Sequence, residues 1–307
     1  MILREHVMTC VILFVGVLSL TLHCSLLGLD SEDDDDDTTT LALLFAASSA
    51  CTGTAATTNQ FTGCAAGAVN EVSYTAEGGG KPCVTSIAAD VPCWIRQNFH
   101  CITATVSGSN IVIQTNNFPP YRSPYYANPG PYSAYHEAAF PAGHAANPNS
   151  IASQNITFTI PSSPTPRTCS YDSTAGAGID ALGVNVHGVV MFNNQAAPGD
   201  SLETEYLTMD DSEGHPESTG KYHVHTEPAK ITNDDSVLVG IMLDGYPLYG
   251  KRAEDNSYPT LDATTHTRSC TTTLFPNGTY CYHVGNGTGT AGYLIGSYFK
   301  GVRGTVN

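Results

Sequence analysis

The chain has 307 residues, and its 41% apolar fraction suffices for one large or two small folded domains and excludes a disordered protein. Its formal net charge is −16, of which the seven acidic residues between Asp30 and Asp37 supply −7, so the rest of the chain carries −9. Binding to phosphate backbones depends on Lys and Arg, of which the chain has 12, and these numbers therefore argue against a nucleic-acid partner.

The N-terminus predicts export. One arginine precedes an apolar run from Val7 to Leu22, a length typical of a signal peptide and short for a helix that spans a bilayer. Cys24 stands where a bacterial lipoprotein carries its lipid, although His23 occupies a position where a small residue is usual. We therefore expect a lipid-anchored protein on the outer surface or in the periplasm, with ordinary secretion and an uncleaved anchor as the alternatives.

The next segments predict a tether and a disulfide-rich region. Residues 1–23 form the expected signal peptide, and residues 24–50 contain the acidic run and a short apolar stretch, LALLFAASSA. Ten cysteines in an exported chain indicate disulfides, and eight remain when Cys10 and Cys24 are set aside. Residues 51–108, with five of these cysteines, form the expected Cys-rich N-terminal region.

The remainder, residues 109–307, predicts a mainly β domain with long loops. SNIVIQT and QNITFTIP are short alternating runs that each end near proline, and few segments show helical spacing. Between them lies a loop rich in tyrosine and proline, around residues 121–140, whose aromatic side chains could contact a partner or cover the core.

Two segments of this domain resemble one another. GVNVHGVVMFN at 183–193 aligns without gaps to GIMLDGYPLYG at 240–250. Each is followed by an acid, a histidine, a Gly-x-Tyr and a second histidine. These residues are Asp211, His215, Gly220, Tyr222 and His225 in the first copy, and Asp262, His266, Gly278, Tyr280 and His283 in the second. The pattern predicts two sequence-repeated β units that form one disulfide-containing domain.

These motifs resemble the YHYH domain family. The matching stretches are APGDSLETEYLTMDDSEGHPESTGKYHVH, LVGIMLDGYPLYG, GTYCYHV and GYLIGSYFKG. Val224 replaces the second tyrosine of the first motif, Cys281 replaces the first histidine of the second, and His187 stands where asparagine is usual. Ser212 and Ser297 stand where the family tends to have cysteines. If those two cysteines form a disulfide in the family, a Cys270–Cys281 disulfide could replace it here. The family has no established activity, so the resemblance implies a fold and candidate residues, and no reaction.

The histidines suggest a metal site. Side chains alternate along a strand, which places His223 and His225 on one face, at a spacing that lets two imidazoles share an ion. The repeat nominates the further ligands or orienting carboxylates His215, His266, His283, Asp211 and Asp262. Imidazole donors favour a transition metal such as zinc, copper or iron.

The sequence leaves other roles open for the histidines and for Cys281. The histidines could instead form a polar core network or act as metal-free acid–base groups. A free Cys281 would be a thiolate ligand, whereas the oxidising compartment and Cys270 eleven residues away favour a disulfide. The rival function is a non-catalytic surface module, and neither an enzymatic activity nor catalytic residues can be assigned.

Overall fold

The structure is a computed structural model that describes residues 11–13, 21–23, 69–74, 79–174, 181–196, 200–225, 236–285, 296 and 298–307. The chain divides into two compact units, Met1–Ala47 and Ser48–Asn307. In the first unit, β1 (Val11–Leu13) pairs antiparallel with β2 (Thr21–His23). The expected lipid site Cys24 and the acidic run up to Asp37 lie outside the described residues. No helix among the described residues has the length and apolarity needed to cross a bilayer.

The second unit is mainly β, as predicted. Its strands are β3 (Val69–Tyr74), β4 (Cys83–Ile87), β5 (Thr103–Ser107), β6 (Asn110–Thr115), β7 (Ile156–Pro161), β8 (Ala181–Asn185), β9 (Val190–Phe192), β10 (Gly214–Pro216), β11 (Tyr222–Val224), β12 (Leu238–Met242), β13 (Pro247–Tyr249), β14 (Thr267–Cys270), β15 (Thr279–His283) and β16 (Thr305–Val306). Two short helices, α1 (Cys93–Asn98) and α2 (Leu202–Tyr206), and a 3-10 turn at Ser133–Tyr135 complete the described elements.

A six-stranded sheet has the order β16-β7-β6-β5-β4-β3. The alternating sequences of β6 and β7 form an antiparallel pair in which every second residue of β7 is buried, as their period of two predicts. The hairpin of β5 and β6 crosses residue 108, where the sequence suggested a boundary. The backbone hydrogen bonds of this sheet thus join part of the Cys-rich region to the segment that follows it.

An eight-stranded sheet has the order β10-β11-β9-β8-β12-β13-β15-β14. Its two central strands, β8 and β12, are buried along their whole length and pair antiparallel. Gly183 and Gly240 lie where these strands approach closely, because a Cβ on either would come within 2.5 Å of a backbone oxygen of the other strand. This contact explains why both aligned segments begin with glycine.

The two halves of this sheet have the same strand order when read outward from the centre. The first half runs β8-β9-β11-β10 and the second runs β12-β13-β15-β14. In each half the successive pairings are antiparallel, parallel and antiparallel. The internal sequence repeat stays a prediction, but the two segments that it aligns form corresponding hairpins.

Side chains from both sheets share one hydrophobic core. Ile113 and Phe158 of the six-stranded sheet belong to the same buried cluster as Val184 and Ile241 of the eight-stranded sheet. Disulfides join Cys83 to Cys101 and Cys270 to Cys281. Cys93 and Cys169 are disulfide-bonded as well. The disulfide alternative for Cys281 is therefore confirmed, and its thiolate is not available as a ligand.

Candidate metal centre

The three histidines of the first half lie together on the hairpin of β10 and β11. His215 is directly opposite His223 in the antiparallel register, and His225 follows two residues later on the same side. The hairpin turns through Gly220, whose φ of 82° lies in the left-handed region that favours glycine. Parallel pairing with β9 places His223 beside Val190 and fixes the hairpin against the sheet.

Tyr222 points to the opposite face and anchors the hairpin to a buried carboxylate. Its hydroxyl donates to both oxygens of Asp210, at 2.8 and 2.9 Å, and Ser123 Oγ donates to Asp210 Oδ2 at 2.6 Å. The backbone N–H of Ser212 also donates to Asp210. Burial raises the pKa of Asp210 to about 7 despite these donors. Tyr222 thus anchors β11 through one face of the strand, while His223 and His225 occupy the other face.

Backbone carbonyls fix the tautomers of His223 and His225. Nδ1 of His223 lies 3.0 Å from the carbonyl oxygen of Lys221, and Nδ1 of His225 lies 2.6 Å from that of Asn193. Since a carbonyl oxygen can only accept, each Nδ1 must carry the proton and donate it. The Nε2 atom of each ring is therefore an unprotonated acceptor, and the two Nε2 atoms face each other at 3.1 Å.

A hydroxyl holds the third imidazole. Thr208 Oγ1 lies 2.7 Å from the carbonyl oxygen of Glu205 and 2.6 Å from Nδ1 of His215. When its one proton is donated to the carbonyl, Nδ1 of His215 donates to Thr208 and Nε2 is an acceptor, as in the other two rings. Nε2 of His215 is buried and makes no hydrogen bond among the described residues.

The fourth member of the group is Glu205 on α2. The helix begins at the N-cap Ser201, whose side chain accepts from the backbone N–H of Thr204. Glu205 Oε1 lies 3.3 Å from Nε2 of His215 and 3.9 Å from Nε2 of His225. One potential ligand atom from each of Glu205, His215, His223 and His225 lies within 4.8 Å of all the others.

The chemistry of these four atoms suits a cation. Nε2 atoms of three imidazoles lie beside one carboxylate oxygen, and those of His223 and His225 are both acceptors. For a tetrahedral ion with metal–nitrogen bonds of about 2.0–2.1 Å, neighbouring ligand nitrogens lie about 3.3 Å apart. The 3.1 Å between the Nε2 atoms of His223 and His225 fits that spacing.

Burial disfavours the protonated forms of His223 and His225. The side chains of His215 and His225 are 3% and 2% exposed, whereas that of Glu205 is 18% exposed. Burial lowers the pKa of His225 to about 4 and holds the pKa of His223 well below its usual value. The ring of Phe192 stacks on His223 with 3.8 Å between centroids and covers that side of the centre. Glu205 is the most exposed of the four residues.

The other histidines nominated by the sequence belong to the second half of the sheet. His283 lies on β15, five strand spacings from β11 and hence about 24 Å away along the sheet. Its Nδ1 donates to the carbonyl of Gly250, and its Nε2 accepts from Arg268 at 3.0 Å. His266 precedes β14, and Asp262 is exposed beside it. The structure does not bring these three residues to the first cluster, because each half forms its own outer strand pair on either side of β8 and β12.

Two acidic residues differ from those expected. Asp211 is exposed, and its neighbour Asp210 is the carboxylate under the hairpin. Glu205, which completes the cluster, had no signal in the sequence beyond an acid ten residues before His215. Its carboxylate reaches His215 and His225 from α2, and spacing along the chain does not encode this tertiary contact.

The tyrosine-rich loop covers the core. Tyr121, Tyr125 and Tyr126 are buried, and the hydroxyl of Tyr126 donates to the carbonyl of Pro119 at 2.6 Å. Tyr121 also packs edge-on against Tyr222. These three side chains hold the loop against the hairpin, whereas Tyr132, Tyr135 and Phe140 are half-buried.

Residues 157–269 match the model of the protein family described as YHYH protein. The chain therefore carries a domain of the YHYH family, as its motifs predicted. The match includes Glu205 and all three clustered histidines, and it ends before Cys281 and His283. Searches of curated proteins and of solved structures give no match.

Proposed function

We propose that this protein binds one divalent transition-metal ion, such as zinc, copper or iron, through Nε2 of His215, His223 and His225 and the carboxylate of Glu205. The observation that carries the proposal is the 3.1 Å approach of two Nε2 acceptors whose Nδ1 protons are both committed to carbonyl oxygens. Imidazole and carboxylate are donors that such ions accept, and a cation between them would offset the repulsion of their lone pairs.

A purely structural polar network explains this arrangement less well. A buried network is stable when donors alternate with acceptors, as they do around Asp210, where the hydroxyls of Ser123 and Tyr222 donate to the carboxylate. Between His223 and His225, by contrast, the two facing Nε2 atoms are both acceptors. The same pattern argues against metal-free acid–base catalysis, because no proton lies between the two rings of His223 and His225 near neutral pH.

Metal analysis of protein purified without a histidine tag tests the proposal. After loading with zinc and dialysis, we expect one ion per chain in the natural protein and none in the His223→Ala/His225→Ala double variant. Glu205→Gln keeps the size of the side chain and removes its charge, so we expect weaker zinc binding with the fold retained. Equal metal content in the natural protein and the double variant would refute the assignment.

A matched control lies in the other half of the sheet. His266→Ala removes an imidazole that the sequence nominated and that lies outside the cluster. We expect this variant to keep the full metal content. Loss of metal in His266→Ala with retention in the double variant would place the ion elsewhere.

We further propose that the protein is exported and held to a membrane through lipid on Cys24. The six disulfide-bonded cysteines described by the structure support an oxidising compartment. The experiment measures whether the mature protein is recovered in buffer or only in detergent extracts. Release of a Cys24→Ala variant into buffer, with retention of the natural protein, is the expected result, and release of both would contradict the anchor.

A further inference from the structure

The second half of the eight-stranded sheet contains a counterpart of the histidine centre. Gly278 has a φ of 86° and precedes β15 as Gly220, with 82°, precedes β11. Arg268 lies directly opposite Cys281 in the antiparallel register, as His215 lies opposite His223. Counting along the strands, Arg268 takes the place of His215, Cys281 takes that of His223, and His283 takes that of His225.

His225 in the first half and His283 in the second are equivalent, and the same kind of hydrogen bond holds each ring. Nδ1 of His225 donates to the carbonyl of Asn193, and Nδ1 of His283 donates to the carbonyl of Gly250, at 2.6 and 2.9 Å. Asn193 and Gly250 are the last residues of the two aligned segments. In both halves, therefore, a carbonyl at the end of the neighbouring parallel strand fixes the tautomer and leaves Nε2 as an acceptor.

What faces this acceptor differs between the halves. In the first half it faces the Nε2 of His223 and the carboxylate of Glu205. In the second half Nε2 of His283 accepts from Nε of Arg268 at 3.0 Å. A guanidinium carries a permanent positive charge, so the chain supplies its own cation at this point. Cys281 is meanwhile bonded to Cys270 and contributes no ligand.

We propose that the second half corresponds to a transition-metal site in which the guanidinium of Arg268 takes the place of the ion. Replacing Arg268 and Cys281 with histidine would then allow this half to bind zinc. The inference does not depend on occupancy of the first half, because it rests on the arrangement around His283. It also assigns Arg268 a role: this residue satisfies the buried acceptor of His283 and keeps the second half free of metal.

Two variants that differ only at position 268 test this inference. Cys270→Ala/Cys281→His removes the disulfide and adds an imidazole but keeps Arg268, so we expect the same zinc content as in the natural protein. Adding Arg268→His to that variant completes three imidazoles, and we expect one more zinc ion per chain. Near-UV circular dichroism checks that both variants keep the native packing.

The outcomes separate this inference from the proposed function. One additional ion in the triple variant supports the inference even if the natural protein binds none, a result that would refute only the proposed function. A folded triple variant with no additional ion overturns the inference, whatever the first half binds. If the triple variant does not fold, Arg268→His alone, with the disulfide intact, serves instead. Its two imidazoles predict one weak zinc-binding step beyond those of the natural protein, and a titration identical to that of the natural protein overturns the inference.

Discussion

Zinc should stabilise the folded protein by an amount that depends on the four clustered ligands. An ion that binds only the folded state at 100 times its dissociation constant adds about 2.7 kcal/mol to the free energy of unfolding. The unit that contains the site runs from Ser48 to Asn307, or 260 residues. With an unfolding entropy of about 2.1 cal/mol/K per residue, a domain of that size gains about 5 °C in Tm.

Differential scanning calorimetry with and without a chelator measures this shift. The natural protein should lose about 5 °C on metal removal, whereas the His223→Ala/His225→Ala variant should melt at the same temperature with or without zinc. His266→Ala should behave as the natural protein does. An equal zinc-dependent shift in the double variant, or none in the natural protein, would refute the reasoning, because the stabilisation would not then come from these ligands.

Three further predictions concern the framework. Tyr222→Phe removes the hydroxyl that donates to both oxygens of Asp210 and should cost about 1–3 kcal/mol of unfolding free energy in urea, with Tyr258→Phe as an exposed control. Cys270→Ala/Cys281→Ala opens a loop with a sequence separation of 11 and should cost about 3 kcal/mol in the same assay; an unchanged midpoint would contradict this. Burial lowers the pKa of His283 to about 4, whereas the pKa of histidine in an unfolded chain is near 6.5. The stability contributed by the neutral imidazole is therefore complete above about pH 6.5 and is lost as the pH falls towards 4. His283→Gln should therefore remove up to about 3 kcal/mol of that acid-dependent loss, seen as a shallower fall in urea stability between pH 6.5 and 4.

Local patterns in the sequence identified much of this fold. Alternation predicted β6 and β7, and the two aligned segments correspond to the hairpins of β8 with β9 and of β12 with β13. The order of strands in the eight-stranded sheet did not follow from these patterns. It depends on which edges pair, and the central contact of Gly183 with β12 is made between residues far apart in sequence.

The sequence predicted the part of the candidate site that depends on local structure. His223 and His225 share a face because strand side chains alternate, and this is a local property. His215 joins them through the register of a short hairpin. Glu205 could not be predicted, because it reaches the cluster from a helix of 5 residues whose packing is a tertiary property. His283 was expected at the same place because equivalent motifs were taken to converge, whereas the sheet places them on opposite sides of its centre.

An anomalous difference map from crystals of the zinc-loaded, tag-free protein, recorded at the zinc absorption edge, tests the central claim most directly. The claim predicts one strong peak within about 2.0–2.2 Å of Nε2 of His215, His223 and His225 and of a carboxylate oxygen of Glu205. Density that shows these four side chains ordered with no peak between them, or a peak held by other residues, would contradict it.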